Sequence, residues 1–360
     1  MDYKSYFDIP ENILYVNTPS NGLMPRKHYS WRREWESAFF DVRGDLRDQQ
    51  GAFIADIKAA FGDLFHCPVG NLFLLPNFSF GLHTLLNGLS KGLRYALLED
   101  DYPSLNYPVI SRGLDHVKVP VDECLEDRIA EVVRKEKVDV LLLSIVQYIS
   151  GMKVELPFIR QLKADNPSLI IIGDATQYLG TEPFRFVESG FDVVGGSGYK
   201  WMMAGFGNGY MMVSDRVKAL LYAQAQEGPR PTESMWAKKS ILDTFFEPGH
   251  QDTLSHGTLG QSVHFLKELG LENIQQYLTE LTSYAYEKFE ERKWLLPAIE
   301  KRKGRSALIN IQINPECYGQ LLESGVKCFP RGTGIRIGLH MYNDRSDVDK
   351  LVDIIGQINK

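Results

Sequence analysis

Lys200 lies in Phe191-Asp192-Val193-Val194-Gly195-Gly196-Ser197-Gly198-Tyr199-Lys200-Trp201, an amine set among glycines and apolar residues and flanked by two aromatics. A lysine drawn out of water loses part of its preference for the charged form, which frees its lone pair to attack a carbonyl and form an imine. On a surface loop the same side chain would only lay its aliphatic stem on its neighbours. Three features favour the chemical reading. The preceding run reads as a short apolar strand ending in small residues, aromatics flank the amine, and a second polar signature ends a buried strand upstream. That signature is Leu169-Ile170-Ile171-Ile172-Gly173-Asp174-Ala175-Thr176-Gln177, whose apolar run reads as a strand buried on both faces with Asp174 at its carboxyl end. An aspartate there often caps a helix. With Lys200 following 26 residues later at the end of the next strand, it could instead converge with the amine on one ligand, since open α/β sheets bind ligands outside the carboxyl ends of their strands.

Together these stretches resemble the fold-type I pyridoxal-phosphate enzymes and, within them, the class V aminotransferase family, which includes cysteine desulfurases, kynureninases and small-molecule aminotransferases. The resemblance runs from about Tyr15 to Leu351. It implies an α/β fold with a mostly parallel central sheet and a smaller α+β carboxy-terminal domain. It also implies pyridoxal 5'-phosphate as cofactor, Lys200 as the Schiff-base amine, and Asp174 as the carboxylate that keeps the pyridine nitrogen protonated so that the ring can accept electrons from a carbanion.

Further positions carry the resemblance. Tyr15-Val16-Asn17 with Asn21-Gly22-Leu23-Met24-Pro25 is similar to the family's opening segment past the mouth of the site, which makes Asn17 a substrate-side candidate. Asn77-Phe78-Ser79-Phe80-Gly81-Leu82-His83 resembles the phosphate-binding turn and puts Ser79 and Phe80 at a helix amino terminus, where free N–H groups and a partial positive charge suit a phosphate. An ordinary serine-capped helix would look the same. Tyr102 falls where relatives stack an aromatic ring on the cofactor. Tyr148, in Gln147-Tyr148-Ile149-Ser150-Gly151, takes the position that approaches the cofactor's phenolic oxygen or the substrate, and Gln177 a hydrogen-bonding position near the same oxygen. Ser197 resembles the phosphate-binding serine. His256-Gly257-Thr258 looks like the glycine-threonine turn that reaches the neighbouring subunit's phosphate, which would require a homodimer; otherwise Thr258 is a helix cap. Arg336, in Gly334-Ile335-Arg336-Ile337-Gly338-Leu339-His340-Met341-Tyr342-Asn343, matches the substrate-carboxylate arginine, whose planar fork donates two parallel hydrogen bonds; on an alternating edge strand it could instead face outward.

The elements that must position these groups follow from patterning. Helical and buried-strand patterns alternate from about Asn71 to Val213, as a parallel sheet requires. From about Thr253 the pattern changes to amphipathic helices near 261–269 and 271–295 and strands near 307–313 and 334–339. This suggests a large cofactor-binding domain, 16–252, and a small domain, 253–360, joined by 1–15. The irregular stretch 223–247 is expected to line the site or a dimer contact. With 360 residues, 44% of them hydrophobic, the chain can fill both cores, and a net charge of −6 offers no basic face for nucleic acid. The opening residues lack signal-peptide architecture and no apolar run is long enough to span a bilayer, so a cytoplasmic protein is expected. The four cysteines, Cys67, Cys124, Cys317 and Cys328, show no metal-ligand spacing. Gly205-Phe206-Gly207-Asn208-Gly209 suggests a dinucleotide-binding oxidoreductase, but its third glycine comes one residue early and a strand-like run follows where a helix is needed. The reading is therefore a class V aminotransferase acting on an amino acid or related amine. A cysteine desulfurase or kynureninase-like lyase is the alternative, and a degenerate, non-catalytic form of the same fold stands behind both.

Overall fold

The computed structural model describes residues 2–41, 43, 45–233, 236–237 and 239–358. Among these, the strands are β1 (Leu14–Tyr15), β2 (Leu72–Leu75), β3 (Tyr95–Leu98), β4 (His116–Val119), β5 (Val140–Ser144), β6 (Ile170–Asp174), β7 (Val193–Ser197), β8 (Gly209–Val213), β9 (Leu308–Ile311), β10 (Val326–Lys327), β11 (Phe329–Arg331) and β12 (Gly334–Gly338). Strands β2, β3 and β5 to β8 are buried at every position, the signature of a sheet covered on both faces. They form one seven-stranded sheet in the order β2-β8-β7-β6-β5-β3-β4. All neighbours in it pair in parallel except those of β8, which runs antiparallel to both β2 and β7. Gly209 thus opens a strand, not the helix that a dinucleotide site needs.

Amphipathic helices connect the strands. In Leu125–Glu136 the residues Leu125, Ile129 and Val133 recur at helical spacing, so one stripe meets the core while acids begin the helix and bases end it. Successive connections carry the chain from β3 outward to β4, then back across to β5, β6 and β7. The order reverses between β3 and β5, and ligands settle at such a switch point.

The second unit is the antiparallel sheet β11-β12-β9, with β1 and β10 forming a short parallel pair beside it. The pairing of Leu14 with Val326, and the contacts of Lys4 Nζ with Asp344 and Asp347, tie the amino-terminal segment to the carboxy-terminal part of the chain. The helix Thr253–Leu269 packs on Arg26–Phe40 and Leu46–Phe65, so it bridges the proposed 252/253 division. Of the expected strands, 307–313 shortens to β9 and 334–339 to β12. No helix among the described residues is long and apolar enough to cross a membrane.

One expected turn is instead a helix. His256-Gly257-Thr258 lies inside Thr253–Leu269, which is capped by Asp252 accepting the Ser255 N–H at 3.0 Å. Gly257 serves packing: a Cβ there would fall 2.2 Å from the Trp31 ring. The turn before this helix contains Gly249, whose φ of +70° favours glycine.

Candidate active site

The carboxyl ends of β2, β3, β5, β6 and β7 open on a cavity of about 320 Å³ that contains Lys200 and Asp174 together. Asp174 ends β6 and stands between Ser144 of β5 and Gly195 of β7 in the sheet register. Its Oδ1 accepts the Thr176 N–H at 2.8 Å, while Thr176 Oγ1 accepts the Ser197 N–H at 3.1 Å. Thr176 therefore locks the ends of β6 and β7 around the carboxylate. Burial pushes the Asp174 carboxyl above its ordinary range, against the pull of the Thr176 hydrogen bonds and the Lys200 charge.

Lys200 follows β7 through Gly198-Tyr199 and is 7% exposed. Its Nζ lies 5.6 Å from the centroid of the Tyr102 ring and 5.5 Å from that of Tyr199, so it sits between aromatic faces. Burial lowers its pKa. Asp174 opposes that shift, whereas the charges of Arg336 and Arg331 reinforce it. The backbone here is pressed by the amino-terminal segment: Gly22 donates its N–H to Tyr199 O at 2.8 Å, and a Cβ at Gly22 would fall 2.0 Å from Lys200 O. Glycine is what lets that segment cover the lysine.

The helix Phe78–Gly88 begins at the rim of the cavity. Asn77 caps it by accepting the Phe80 N–H at 2.9 Å, and the Phe78 N–H donates to Ser197 Oγ at 3.0 Å. Asn77, Phe78, Ser79 and Ser197 all line the cavity. Phe80 does not: its N–H is taken by the cap and the residue is 36% exposed. The expected contact of Phe80 with a cofactor is thus not prepared in this structure.

Tyr102 and Tyr148 face each other edge to face, 5.2 Å between centroids, and both line the cavity. Asp101 fixes Tyr102 from below. Its Oδ1 accepts the Tyr102 N–H at 2.7 Å and the Ser144 hydroxyl at 2.6 Å, and its Oδ2 accepts the Ser144 N–H at 2.8 Å. This fully buried acid clamps β3 to β5 across the switch point. Gln177 also lines the cavity, with its amide partly committed: Oε1 accepts from Trp201 Nε1 at 2.7 Å and Nε2 donates to Pro19 O at 2.9 Å. One amide N–H remains for a ligand.

Arg336, on β12, is 3% exposed. Its guanidinium donates to Tyr148 O at 2.8 Å and to Ser20 Oγ at 3.0 Å, Nε has no partner, and no acid pairs with it among the described residues. Burial and Arg331 lower its pKa to about 10. Asn17 acts through its backbone, whose carbonyl accepts the N–H groups of Ser20 and Asn21 and so shapes the turn that brings Ser20 to Arg336. Its side-chain Oδ1 is buried with no hydrogen-bond partner among the described residues.

Thr258 is fully buried within its own chain: it donates to Leu254 O at 2.7 Å, accepts from Arg32 at 2.9 Å and does not line the cavity.

Sequence reading therefore finds Ser79, Tyr102, Tyr148, Asp174, Gln177, Ser197 and Lys200 where the cavity is, and Arg336 beside Tyr148. It misses Asp101, Ser144, Thr176 and Ser20. Two had a signal, since Asp101 directly precedes Tyr102 and Ser144 is the first polar residue of its apolar run. Together the groups pair a buried amine with a buried acid, a helix amino terminus with hydroxyls, and a buried guanidinium with no anion. That donor set fits an aldehyde-bearing aromatic phosphate with a basic ring nitrogen, joined by a carboxylate-bearing substrate.

Comparison with known proteins agrees with this chemistry. Residues 112–351 match the sequence family Aminotransferase class-V. The chain is 29% identical to an uncharacterized aminotransferase of Schizosaccharomyces pombe over 119 residues, which span 32% of this chain and only 30% of that one. It is 24% identical to the kynureninase of Geobacillus thermodenitrificans over 321 residues, spanning 78% of this chain and 71% of that one. The apo cysteine desulfurase of Thermococcus onnurineus NA1 shares the fold, with a TM-score of 0.83 at 15% identity, over 99% of this chain and 97% of that one. The fold is thus fold-type I, its cofactor is pyridoxal phosphate, and the chain belongs to the class-V aminotransferase family.

Proposed function

We propose that this chain acts at Cα of an amino acid or related amine, as an aminotransferase whose catalytic amine is Lys200. The observation that carries the reading is Arg336: a buried guanidinium that, among the described residues, hydrogen-bonds only neutral oxygens, beside a buried lysine, is a site for a substrate carboxylate.

When bound, pyridoxal phosphate supplies an aldehyde that joins an amine and a ring that accepts an electron pair from Cα. Ser79, Ser197 and the amino terminus of Phe78–Gly88 would hold its phosphate, Asp174 its ring nitrogen, Tyr102 its face and Gln177 its phenolic oxygen. Arg336 would hold the substrate carboxylate and so orient the bonds at Cα. Lys200 Nζ removes the Cα proton as a general base, helped by burial that favours its neutral form. Thr176 and Asp101 keep Asp174 and Tyr102 in place. A homodimer is compatible with the family, although Thr258 does not support it here.

Borohydride reduction of the purified protein followed by peptide mapping should place the cofactor on Lys200. Incubation with a panel of amino acids and 2-oxo acids, read by mass spectrometry, should show amino-group exchange. Labelling of another lysine sinks the Lys200 assignment. Ammonia, sulfide or a cleaved side chain in place of a new amino acid turns the reading to a lyase, which the likeness to a kynureninase favours.

A further inference from the structure

Beyond Arg336, the small sheet carries a second arginine on the same face. In the β11-β12 pair Phe329 stands opposite Arg336 and Arg331 opposite Gly334. Opposed residues of an antiparallel pair share a face, as do alternate residues of one strand, so Arg331 and Arg336 are diagonal neighbours on one face. Glycine at 334 leaves the position facing Arg331 without a side chain. That face lies against the Tyr148-Ile149 turn: Asn310 Nδ2 donates both to Ile149 O at 3.0 Å and to Arg331 O at 2.9 Å, while Arg336 binds Tyr148 O.

Arg331 is exposed, stacks at 4.6 Å on Phe329, and has no acid partner among the described residues. Its charge is felt by Lys200, Tyr148 and Arg336. Arg331 and Arg336 thus share one face beside the Tyr148-Ile149 turn, and both charges reach Lys200. Of the carboxylates that act on the same groups, Asp101 is engaged with Ser144 and Tyr102 and Asp174 with Thr176, which leaves the exposed Asp100. The phosphate does not account for the excess, since its proposed hydroxyls stand on other elements, at Ser79 and Ser197.

We infer that Arg331 is a specificity-determining residue that binds a second, side-chain carboxylate, so that the substrate is a dicarboxylic amino acid. This rests on the reading of Arg336 as the α-carboxylate site. An exposed guanidinium beside the Tyr148-Ile149 turn suits the role, because its fork grips a carboxylate in two parallel hydrogen bonds and its stacking on Phe329 pre-orients it.

Calorimetric titration of the holoenzyme with glutarate and with butyrate tests the inference, because neither acid carries an amine and only the ionic sites are read. Glutarate should bind about tenfold or more tightly than butyrate, and that preference should vanish in R331Q and shrink in R331K. A glutarate preference absent from the wild type, or persisting in R331Q, overturns the role of Arg331. If butyrate binding is then lost in R336Q, the α-carboxylate reading survives without it. Failure of the wild type to bind either acid overturns both.

Discussion

Two buried arginines show how this molecule treats charge in different places. Arg302 donates to Glu126 through both terminal nitrogens, at 2.6 and 2.7 Å, and also reaches Lys153 O at 2.8 Å. The pairing raises its pKa. Arg336 is as deeply buried and finds only a carbonyl and a hydroxyl, so its pKa falls. Lysines repeat the contrast. Lys58 lies 3.1 Å from Glu247, which also accepts the Leu74 N–H and joins two elements, whereas Lys200 has no contact ion pair among the described residues: it faces aromatic rings and feels the Asp174 charge at longer range. A paired buried charge is strongly missed when its partner is removed, while an unpaired one costs desolvation that only a ligand repays. The fold tolerates that cost at the cavity and nowhere else in this comparison.

The largest expected effect divides the two lysines. Lys200→Ala should lower turnover by about 10⁴-fold, as loss of a positioned general base does, while leaving the denaturation midpoint of cofactor-free protein unchanged or higher. Lys58→Ala should do the reverse, costing roughly 3 kcal/mol of stability by stranding Glu247. Turnover and urea denaturation of both variants check this. Equal stability losses would erase the distinction between paired and unpaired cations.

The arginines should split in the same way, more modestly. Arg336→Gln is expected to lower kcat/KM for amino acids by about 100-fold, roughly 3 kcal/mol, and to affect simple amines much less. Arg302→Gln should reduce stability by about 3 kcal/mol and leave kcat/KM nearly intact in whatever protein remains folded. Equal impairment of amines and amino acids by Arg336→Gln would make its role structural.

Why the sequence reveals one half of this contrast better than the other is itself physical. Strand-end chemistry is local: Asp174 and Lys200 each close an apolar run, and periodicity plus residue type suffice to find them. The fully buried strands of the central sheet were legible for the same reason. The clamps were not, because Thr176, Asp101 and Ser20 act through hydrogen bonds to residues 21, 43 and 316 positions away. The His256-Gly257-Thr258 segment reads as a turn only through its resemblance to the family's glycine-threonine turn, and the approach of Trp31, more than 200 positions upstream, shows that Gly257 makes room within a helix.

A smaller effect sharpens the account of Lys200. The Asp174 charge raises the lysine's pKa and the Arg336 charge lowers it, both against a larger depression from burial. Asp174→Asn should therefore move the lysine's titration to lower pH, and Arg336→Gln should move it higher. In cofactor-free protein, the pH dependence of Lys200 modification by an amine reagent reads this directly, because only the neutral amine reacts. Shifts of the same sign in both variants would mean that burial changes, and not charge, dominate.

The smallest effect is expected at Cys328, where similarity to cysteine desulfurases would otherwise suggest a sulfur-accepting thiol. Cys328 lies between β10 and β11, eight residues before Arg336, and is 2% exposed. Burial pushes its thiol up to about 12, so almost no thiolate is present near neutral pH. A nucleophile that must reach a substrate sulfur needs both thiolate character and freedom to move, and a residue held between two strands has neither. Cys328→Ala should cost about 1 kcal/mol of packing and leave most of the activity in place. L-Cysteine under reducing conditions should yield little sulfide. Strong sulfide release that disappears in Cys328→Ala would show that β10 and β11 separate during turnover, and would move the carboxy-terminal sheet from the rigid half of the molecule to the reactive one.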